Sequence, residues 1–248
     1  MKTLLKDIES YWSKRSVSYS DGIKKCLEDD NKKVWINVLL ENFPNHEGTK
    51  LKILDIGTGP GFFAILLAKA GYDVVAVDYT EEMLKQAACN GKDCKDKITF
   101  RQMDAHALDF EDESFDVIIT RNLTWNLERP VDAYTDWHRV LKKGGRMLNF
   151  DANWYGYLFD DSKIEQSKEE IDKQYYDYHF YSDSDIMESI GKQLPLSRYQ
   201  RPQWDSMILL NIGFSKVLTD TTIYETTWTK DEIALYPDSL GFMIRAEK

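Results

Sequence analysis

A glycine-rich segment that begins with an acid is the part of this sequence best suited to bind a ligand. Residues 55–61 read DIGTGPG and follow a short apolar run, residues 51–54. Glycines let a backbone turn tightly and approach a ligand closely, and the helix that follows such a turn presents free N–H groups. In a doubly wound α/β sheet, the first turn of this kind is where nucleotides bind. The segment therefore predicts a site for a ligand with a nucleoside portion.

The spacing of the glycines separates two classes of such ligands. Folds that bind NAD or FAD use the pattern G-x-G-x-x-G, whose third glycine allows close packing of the helix on the strand. Here Gly57 and Gly59 occupy the first two places, but Phe62 occupies the third and is too large for that role. The extra glycine is Gly61, which gives D-x-G-x-G-x-G. A nucleotide-dependent oxidoreductase is therefore a weaker alternative.

The glycine pattern resembles motif I of the class I S-adenosylmethionine-dependent methyltransferases of the small-molecule type. Three further segments resemble that family's later motifs: residues 78–84 (DYTEEML), 103–105 (MDA) and 139–145 (RVLKKGG). The resemblance covers roughly residues 50–151. It implies a Rossmann-like α/β fold with a doubly wound, seven-stranded, mostly parallel sheet. It also implies S-adenosylmethionine as cofactor and S-adenosylhomocysteine as product.

The resemblance further implies roles for individual side chains. Asp55 would hold the methionine amino group, and Asp78 would bind both ribose hydroxyls through charge-assisted hydrogen bonds. Asp104 would accept a hydrogen bond from the exocyclic amine of adenine, next to the backbone N–H of Ala105. The predicted cofactor-binding residues are Tyr19, Asp55, Gly57, Thr58, Gly59, Gly61, Asp78, Tyr79, Met83, Asp104, Ala105, Arg121 and Asn122.

Some of these residues also have purely structural interpretations. Asp55 is a candidate turn cap, Asp104 a candidate Asx-turn residue and Met83 a candidate core residue. Arg121 and Asn122 follow the predicted fourth strand, where a solvated loop is the alternative to contact with the methionine portion.

The N-terminal segment offers candidates for the methionine carboxylate. Tyr11, Arg15 and Tyr19 lie on the predicted leading helix, which in many small-molecule members of the family closes over the cofactor; plain packing is the alternative. Trp125 is a candidate to face the sulfonium or the acceptor.

Alternating strands and helices are predicted to position these residues. Apolar runs rich in β-branched residues predict strands near residues 51–55, 73–78, 97–103, 115–120, 146–151, 214–219 and 241–246. Helical patterns cover residues 62–70, 81–88 and 133–141, and most of residues 3–43. Such alternation indicates a parallel sheet with helices on both faces.

We expect one methyltransferase domain, residues 1–248, with four parts. They are N-terminal helices (1–45), a cofactor-binding core (50–151), a helical cap inserted after strand 5 (152–212) and the final strands (213–248). The insertion is too long for a simple connection. Residues 150–204 hold 12 of the 32 Phe, Trp and Tyr residues. These aromatics either line a pocket for a flat or cationic acceptor or dock the cap on the sheet, and docking is favoured.

The chemistry of a sulfonium donor asks mainly for alignment, because its methyl group is already activated. A hydroxyl or ammonium acceptor also needs a general base, and His179 in the cap is our catalytic candidate. The fourth strand is not followed by the Asn/Asp-Pro-Pro-Tyr/Phe run of enzymes that methylate DNA bases or glutamine, and the paired-glutamate loop of arginine methyltransferases is absent. The predicted acceptor is therefore a small molecule. A non-catalytic cofactor-binding module is an alternative.

The composition of the chain indicates which classes of partner and which cellular compartment to expect. The net charge of −10, without a basic stripe, argues against nucleic acid and against an RNA methyltransferase. No apolar run reaches the roughly 18 residues expected of a membrane span. Three cysteines, with no second Cys/His pair beside Cys89 and Cys94, predict no metal site and a reducing compartment. We expect a cytoplasmic monomer or homodimer.

Overall fold

The seven strands form one sheet in the computed structural model, which describes residues 3–45, 48, 50–160, 184–237 and 239–248. The strands are β1 (Ile53–Ile56), β2 (Val74–Asp78), β3 (Ile98–Gln102), β4 (Phe115–Arg121), β5 (Leu141–Asp151), β6 (Lys216–Asp220) and β7 (Phe242–Glu247). Their order is β3-β2-β1-β4-β5-β7-β6. The first five are parallel neighbours, whereas β7 runs antiparallel to β5 and β6. The predicted doubly wound, mostly parallel sheet is confirmed.

Helices precede, connect and follow the strands. The described α-helices are α1 (Leu4–Glu28), α2 (Lys32–Asn42), α3 (Phe62–Lys69), α4 (Glu81–Asn90), α5 (Pro130–Val140), α6 (Ser184–Gly191), α7 (Gln203–Ile212), α8 (Ile223–Thr227) and α9 (Lys230–Leu235). The N-terminal helical segment is thus present, as two helices. None of the described helices combines the length and apolarity needed to cross a membrane.

The sheet is buried on both faces at its central strand β1, as a parallel sheet requires. All four residues of β1 are buried, and successive side chains point to opposite faces. Ile53 belongs to the core that contains Trp35 of α2 and most of α3. Leu54 belongs to the opposite core, with Trp137 of α5 and Leu209 of α7. β1 and the loop after it are therefore held from both sides.

The largest differences from the predicted element boundaries are at α5 and β5. α5 begins at Pro130 instead of residue 133, since proline suits the first turn of a helix. β5 begins at Leu141 and not at residue 146, and its pairing with β4 is irregular between Phe115 and Val117. The predicted glycine turn therefore lies inside the strand, where Gly144 has a φ of 73°.

The long N-terminal helix lies against α4. Ser13 donates a hydrogen bond to Glu82 (3.0 Å), and Asn90 donates one to Ser20 (3.0 Å). The Lys6 ammonium lies 5.4 Å from the centre of the Tyr79 ring. These contacts bring α1 alongside the ends of β1 and β2, so the helix forms one wall of the cleft described below.

The predicted cap contains helices, α6 and α7, within its described residues 152–160 and 184–212. Two of its described aromatic side chains contact rings outside the cap. Tyr155 lies 5.0 Å from Trp125, and Trp154 stacks on Trp228 at 5.8 Å. His179 and the tyrosines at 175, 176, 178 and 181 lie outside the described residues.

Candidate functional site

A cleft opens at the carboxyl ends of β1, β2 and β4, between the glycine loop (residues 57–61) and α1. It collects residues from separate parts of the chain. Of the predicted cofactor-binding residues, those that line it are Tyr19, Asp55, Gly57, Thr58, Gly59, Asp78, Tyr79, Met83, Asp104, Ala105, Arg121 and Asn122. Gly61 does not line it. A single cavity therefore holds almost the whole predicted set.

The glycine loop needs left-handed backbone conformations and close approaches. Gly57 has a φ of 67°, and a Cβ there would lie 2.7 Å from the Leu123 side chain. Gly61 has a φ of 93°, and a Cβ there would lie 3.2 Å from Ala87 on α4. Gly61 thus allows the start of α3 to lie against α4. It supports the loop on the side that faces away from the cleft.

Asp78 connects the end of β2 to the glycine loop. Its Oδ2 accepts a hydrogen bond from the Gly59 N–H (2.8 Å), and its Oδ1 accepts one from the Thr80 N–H (2.8 Å). Burial raises the pKa of Asp78. Because a carboxylate has about four acceptor positions, each oxygen keeps room for a ligand hydroxyl.

Asp55 lies at the floor of the same cleft and is 2% exposed. Its Oδ2 accepts hydrogen bonds from the Thr58 hydroxyl (2.7 Å) and the Ala64 N–H (3.1 Å). It therefore does cap the turn, and the capping leaves Oδ1 without a hydrogen-bond donor among the described residues. Burial raises the pKa of Asp55 to about 7, and the nearby Asp78 charge adds to this effect. A cationic ligand group would restore the ionised form.

Asp104 forms an Asx turn and also contacts the imidazole of His106. Its Oδ1 accepts from the His106 N–H (2.9 Å) and lies 2.6 Å from His106 Nδ1. The hydrogen bond with His106 lowers the pKa of Asp104, which favours the carboxylate. No residue that the structure describes donates to its Oδ2.

Arg121 carries a positive charge into the cleft. Its guanidinium lies 4.6 Å from the Phe62 ring centre and 4.9 Å from that of Trp35. No carboxylate among the described residues forms an ion pair with it. Phe62, which breaks the dinucleotide glycine pattern, therefore supports a cation that is free to meet an anionic ligand group.

Of the three residues predicted to contact the cofactor from the leading helix, one lines the cleft. Tyr19 lines it, and burial raises the pKa of this phenol. Tyr11 and Arg15 are buried and form a hydrogen bond with each other (2.9 Å), but neither lines the cleft. Trp125 also lies outside the lining, where its indole N–H donates to the Asn122 carbonyl (3.0 Å). Arg121, not Arg15, is thus the arginine of the cleft.

A second group of polar side chains lies on the same edge of the sheet but is completely enclosed. Arg201 donates to Asp205 through Nε (2.9 Å) and Nη2 (2.8 Å), and to Asp151 through Nη1 (3.1 Å). Tyr134 donates to Asp205 (2.5 Å), and Thr124 donates to Asp151. The side chains of the three charged residues are 0% exposed. These partners lie 27 or more positions apart, except for Arg201 and Asp205, so no local pattern in the sequence indicates the cluster.

No group of three or more His, Cys, Asp or Glu side chains in the described part of the chain is arranged to hold a metal ion. The polar groups of the cleft instead suit an organic ligand with hydroxyl, amine and carboxylate functions. Carboxylates at residues 55, 78 and 104 accept hydrogen bonds, and Arg121 supplies donors.

Comparisons with known proteins show what the chain is similar to. Residues 54–149 match the family model of the methyltransferase domain. The chain is 35% identical over 95 residues to a ubiquinone biosynthesis O-methyltransferase of Roseobacter denitrificans, a match that covers 38% of each chain. It is 37% identical over 97 residues to a demethylmenaquinone methyltransferase of Renibacterium salmoninarum, covering 39% of each. The chain thus matches well under half the length of these curated relatives.

Solved structures share the fold over most of this chain. A Methanococcus maripaludis protein described as an S-adenosyl-L-methionine-dependent methyltransferase superposes with a TM-score of 0.61 at 22% identity, covering 95% of this chain and 93% of that one. The phosphoethanolamine N-methyltransferase 2 of Haemonchus contortus, solved with S-adenosylhomocysteine, has a TM-score of 0.62 at 18% identity. That match covers 86% of this chain and 52% of the other. Residues 54–149 of this chain therefore resemble a methyltransferase domain, and most of the chain shares its fold with these solved structures.

Proposed function

We propose that this protein transfers the methyl group of S-adenosylmethionine to a small-molecule acceptor and releases S-adenosylhomocysteine. One observation carries the proposal: acids at or after the ends of β1, β2 and β3 and an arginine at the end of β4 line a single cleft beside the glycine loop. The matched domain, residues 54–149, contains all four of these charged residues.

The charges of the cleft suit the parts of the cofactor in turn. Asp78 accepts from the two ribose hydroxyls and Asp55 holds the methionine ammonium. Arg121 pairs with the methionine carboxylate. At the other end, Asp104 and the Ala105 N–H contact the adenine edge, with Tyr79 and Met83 against its faces. The flanking helices, core, cap and final strands act with this site as one domain over residues 1–248.

The transfer step itself needs alignment more than it needs a catalytic side chain. A lone pair of the acceptor attacks the methyl carbon, the sulfur–methyl bond breaks and its electron pair stays on sulfur. Positive charge thereby leaves the sulfur, and an acceptor that carries a proton gives it to a base. His179 is the base we propose, and it lies outside the described residues. In-line alignment is worth several kcal/mol in such a displacement.

The names of two relatives, the ligand of a structural neighbour and the net charge all support a small-molecule acceptor. Two relatives bear names of quinone-pathway methyltransferases, and a structural neighbour was solved with phosphomonomethylethanolamine. The net charge of −10 favours a neutral or cationic acceptor over nucleic acid. We propose further that the protein works in the cytoplasm, as a monomer or homodimer, where its free cysteines stay reduced.

Titration calorimetry with S-adenosylhomocysteine, NAD and ATP tests the cofactor. We expect S-adenosylhomocysteine to bind and the other two to bind far more weakly. Binding of NAD but not of S-adenosylhomocysteine would overturn the proposal. A screen of small phenols, quinols and amines, read out by S-adenosylhomocysteine formation, then tests the acceptor class. Cofactor binding without turnover on any acceptor would point instead to a non-catalytic module.

A further inference from the structure

The ring of His106 contacts two separate segments of the chain beside the cleft. Its side chain is 2% exposed, and the residue lines the cleft. Nδ1 lies 2.6 Å from Asp104 Oδ1, and Nε2 lies 3.2 Å from the backbone nitrogen of Arg129. One ring thus connects the loop after β3 to the residue before α5.

These partners determine the tautomer of the ring. The Arg129 backbone nitrogen can only donate, so Nε2 must accept and carries no hydrogen. In a neutral imidazole the hydrogen then belongs to Nδ1, which donates to Asp104. Nδ1 is therefore the ring nitrogen that donates to the Asp104 carboxylate.

This arrangement leaves Asp104 with one oxygen for a ligand. Oδ1 already accepts two hydrogen bonds, from the His106 N–H and from Nδ1. Oδ2 accepts none within the described part of the chain. Two donors on one oxygen fix the rotation of the carboxylate plane, so the direction of Oδ2 is set by His106 and not by solvent.

The backbone of the loop after β3 is anchored independently of the histidine ring. The Trp137 indole donates to the Ala105 carbonyl (2.8 Å), and the Leu108 N–H donates to Asp136 (2.6 Å). Both anchors come from α5. Loss of the ring should therefore release the Asp104 side chain before it displaces the loop.

From this geometry we infer that His106 is a positioning residue for adenine recognition: it orients Asp104 toward the exocyclic amine of the cofactor. The inference rests on the proposed function, since it needs a cofactor with an adenine base. His106 acts through Asp104, so its effect falls on the choice between bases and not on the homocysteine portion.

Two substitutions separate the contacts of the ring. In His106→Asn, the amide nitrogen is bonded to Cγ, as Nδ1 is, and can still donate to Asp104. In His106→Gln, the amide lies one bond further out, toward the Arg129 N–H, and the donor to Asp104 is lost. His138→Gln is the control, because His138 is half-buried against Phe214 (4.9 Å) and lies outside the cleft.

The experiment measures the Kd of each variant for S-adenosylhomocysteine and for S-inosylhomocysteine, which carries an oxo group in place of the amine. The wild-type protein should prefer the adenine ligand, because the oxo group repels the Asp104 carboxylate. We expect His106→Gln to reduce this preference about fivefold to tenfold, while His106→Asn and His138→Gln stay within about twofold of wild type. Thermal unfolding of each variant is recorded alongside.

The outcomes are distinguishable. An unchanged preference in His106→Gln would overturn the inference while leaving the cofactor assignment intact. An equal loss of preference in the Asn and Gln variants, with equally lowered melting temperatures, would also overturn it, because His106 would then support the fold alone. Failure of the wild-type protein to bind S-adenosylhomocysteine would refute the proposed function itself.

Discussion

The cleft and the buried cluster around Arg201 lie on the same edge of the sheet, yet they handle charge in opposite ways. In the cluster, Arg201 meets two carboxylates, Asp151 and Asp205, and all three side chains are 0% exposed. In the cleft, the described residues that donate hydrogen bonds to Asp55 are neutral, and the Arg121 guanidinium lies against aromatic rings. The charges of the Arg201 cluster pair with one another, whereas the charges of the cleft face the cavity.

The difference follows from the cost of burying a charge. An enclosed charge is tolerated when opposite charges and hydrogen bonds surround it, as they surround Arg201. Although burial acts against it, the carboxylates of Asp205 and Asp151 raise the pKa of Arg201 and keep it charged. Among the described residues Asp55 has no such partner, and burial raises its pKa. We therefore interpret the unpaired charges beside the cavity as part of a ligand site. We interpret the paired, buried charges as part of the structural scaffold, which stabilises the fold.

We expect Arg201→Met to cause the largest change, a loss of stability. The substitution leaves the carboxylates of Asp151 and Asp205 buried without a cation, which should reduce the free energy of unfolding by about 3–5 kcal/mol. Urea denaturation measures this change. Arg198→Met is the control, because Arg198 is exposed and lies over Phe159 at 4.8 Å. A loss below about 1 kcal/mol for Arg201→Met would contradict the scaffold assignment.

In the cleft, removal of a carboxylate should reduce the affinity for the ligand more than it reduces the free energy of unfolding. Asp78→Ala removes the acceptor of the ribose hydroxyls and should weaken S-adenosylhomocysteine binding by about 1–3 kcal/mol, measured by calorimetry. Asp73→Ala is the control, because Asp73 forms an exposed ion pair with Lys97 (3.1 Å). Unchanged affinity in Asp78→Ala would refute its ribose role.

The unpaired carboxyl of Asp55 should make binding depend on pH. With a pKa of about 7 in the empty cleft, Asp55 must release a proton before it can pair with the cofactor ammonium. Affinity for S-adenosylhomocysteine should therefore rise about tenfold between pH 6 and pH 8, relative to Asp55→Asn. Parallel pH profiles for the two proteins would contradict an ionic role for Asp55.

The same raised pKa has a consequence for the stability of the empty protein. Between the ordinary value of 3.8 and about 7, the folded protein holds a proton on Asp55 that the unfolded chain has released. The contribution of Asp55 to the free energy of unfolding therefore falls as the pH rises through this range. Thermal unfolding of wild type and Asp55→Asn should converge at low pH and separate toward pH 7.

The smallest expected effect concerns Arg121. Arg121→Met keeps the packing on Phe62 but removes the cation, so S-adenosylhomocysteine should bind about fivefold more weakly. Methylthioadenosine, which lacks the carboxylate, should bind within about twofold of wild type. Arg101→Met is matched to it, since Arg101 also lies over a ring, Phe110 at 4.8 Å, but is paired with Asp109. Equal losses for both ligands would remove Arg121 from the carboxylate site.

Local sequence patterns predicted the glycine loop, the end of β2 and the sheet, because these features depend on residues that are close together in sequence. The glycine spacing and the acid after β2 predicted a loop and a strand end that the structure brings within 2.8 Å, at Gly59 and Asp78. The alternation of strands and helices predicted the doubly wound sheet, because a parallel sheet needs crossover helices. Boundaries were less well predicted: α5 begins three residues early because of Pro130.

Contacts between distant segments were decided by the tertiary structure alone. Nothing near Arg201 in sequence indicates Asp151, and nothing near His106 indicates Arg129. The choice of Arg121 over Arg15 as the cation of the cleft also depends on how α1 lies across α4. The sequence by itself determined the fold and most of the cofactor cleft, since glycine conformation and hydrophobic periodicity are local properties. Which charges are paired and which face the ligand depends on distances that only the folded chain sets.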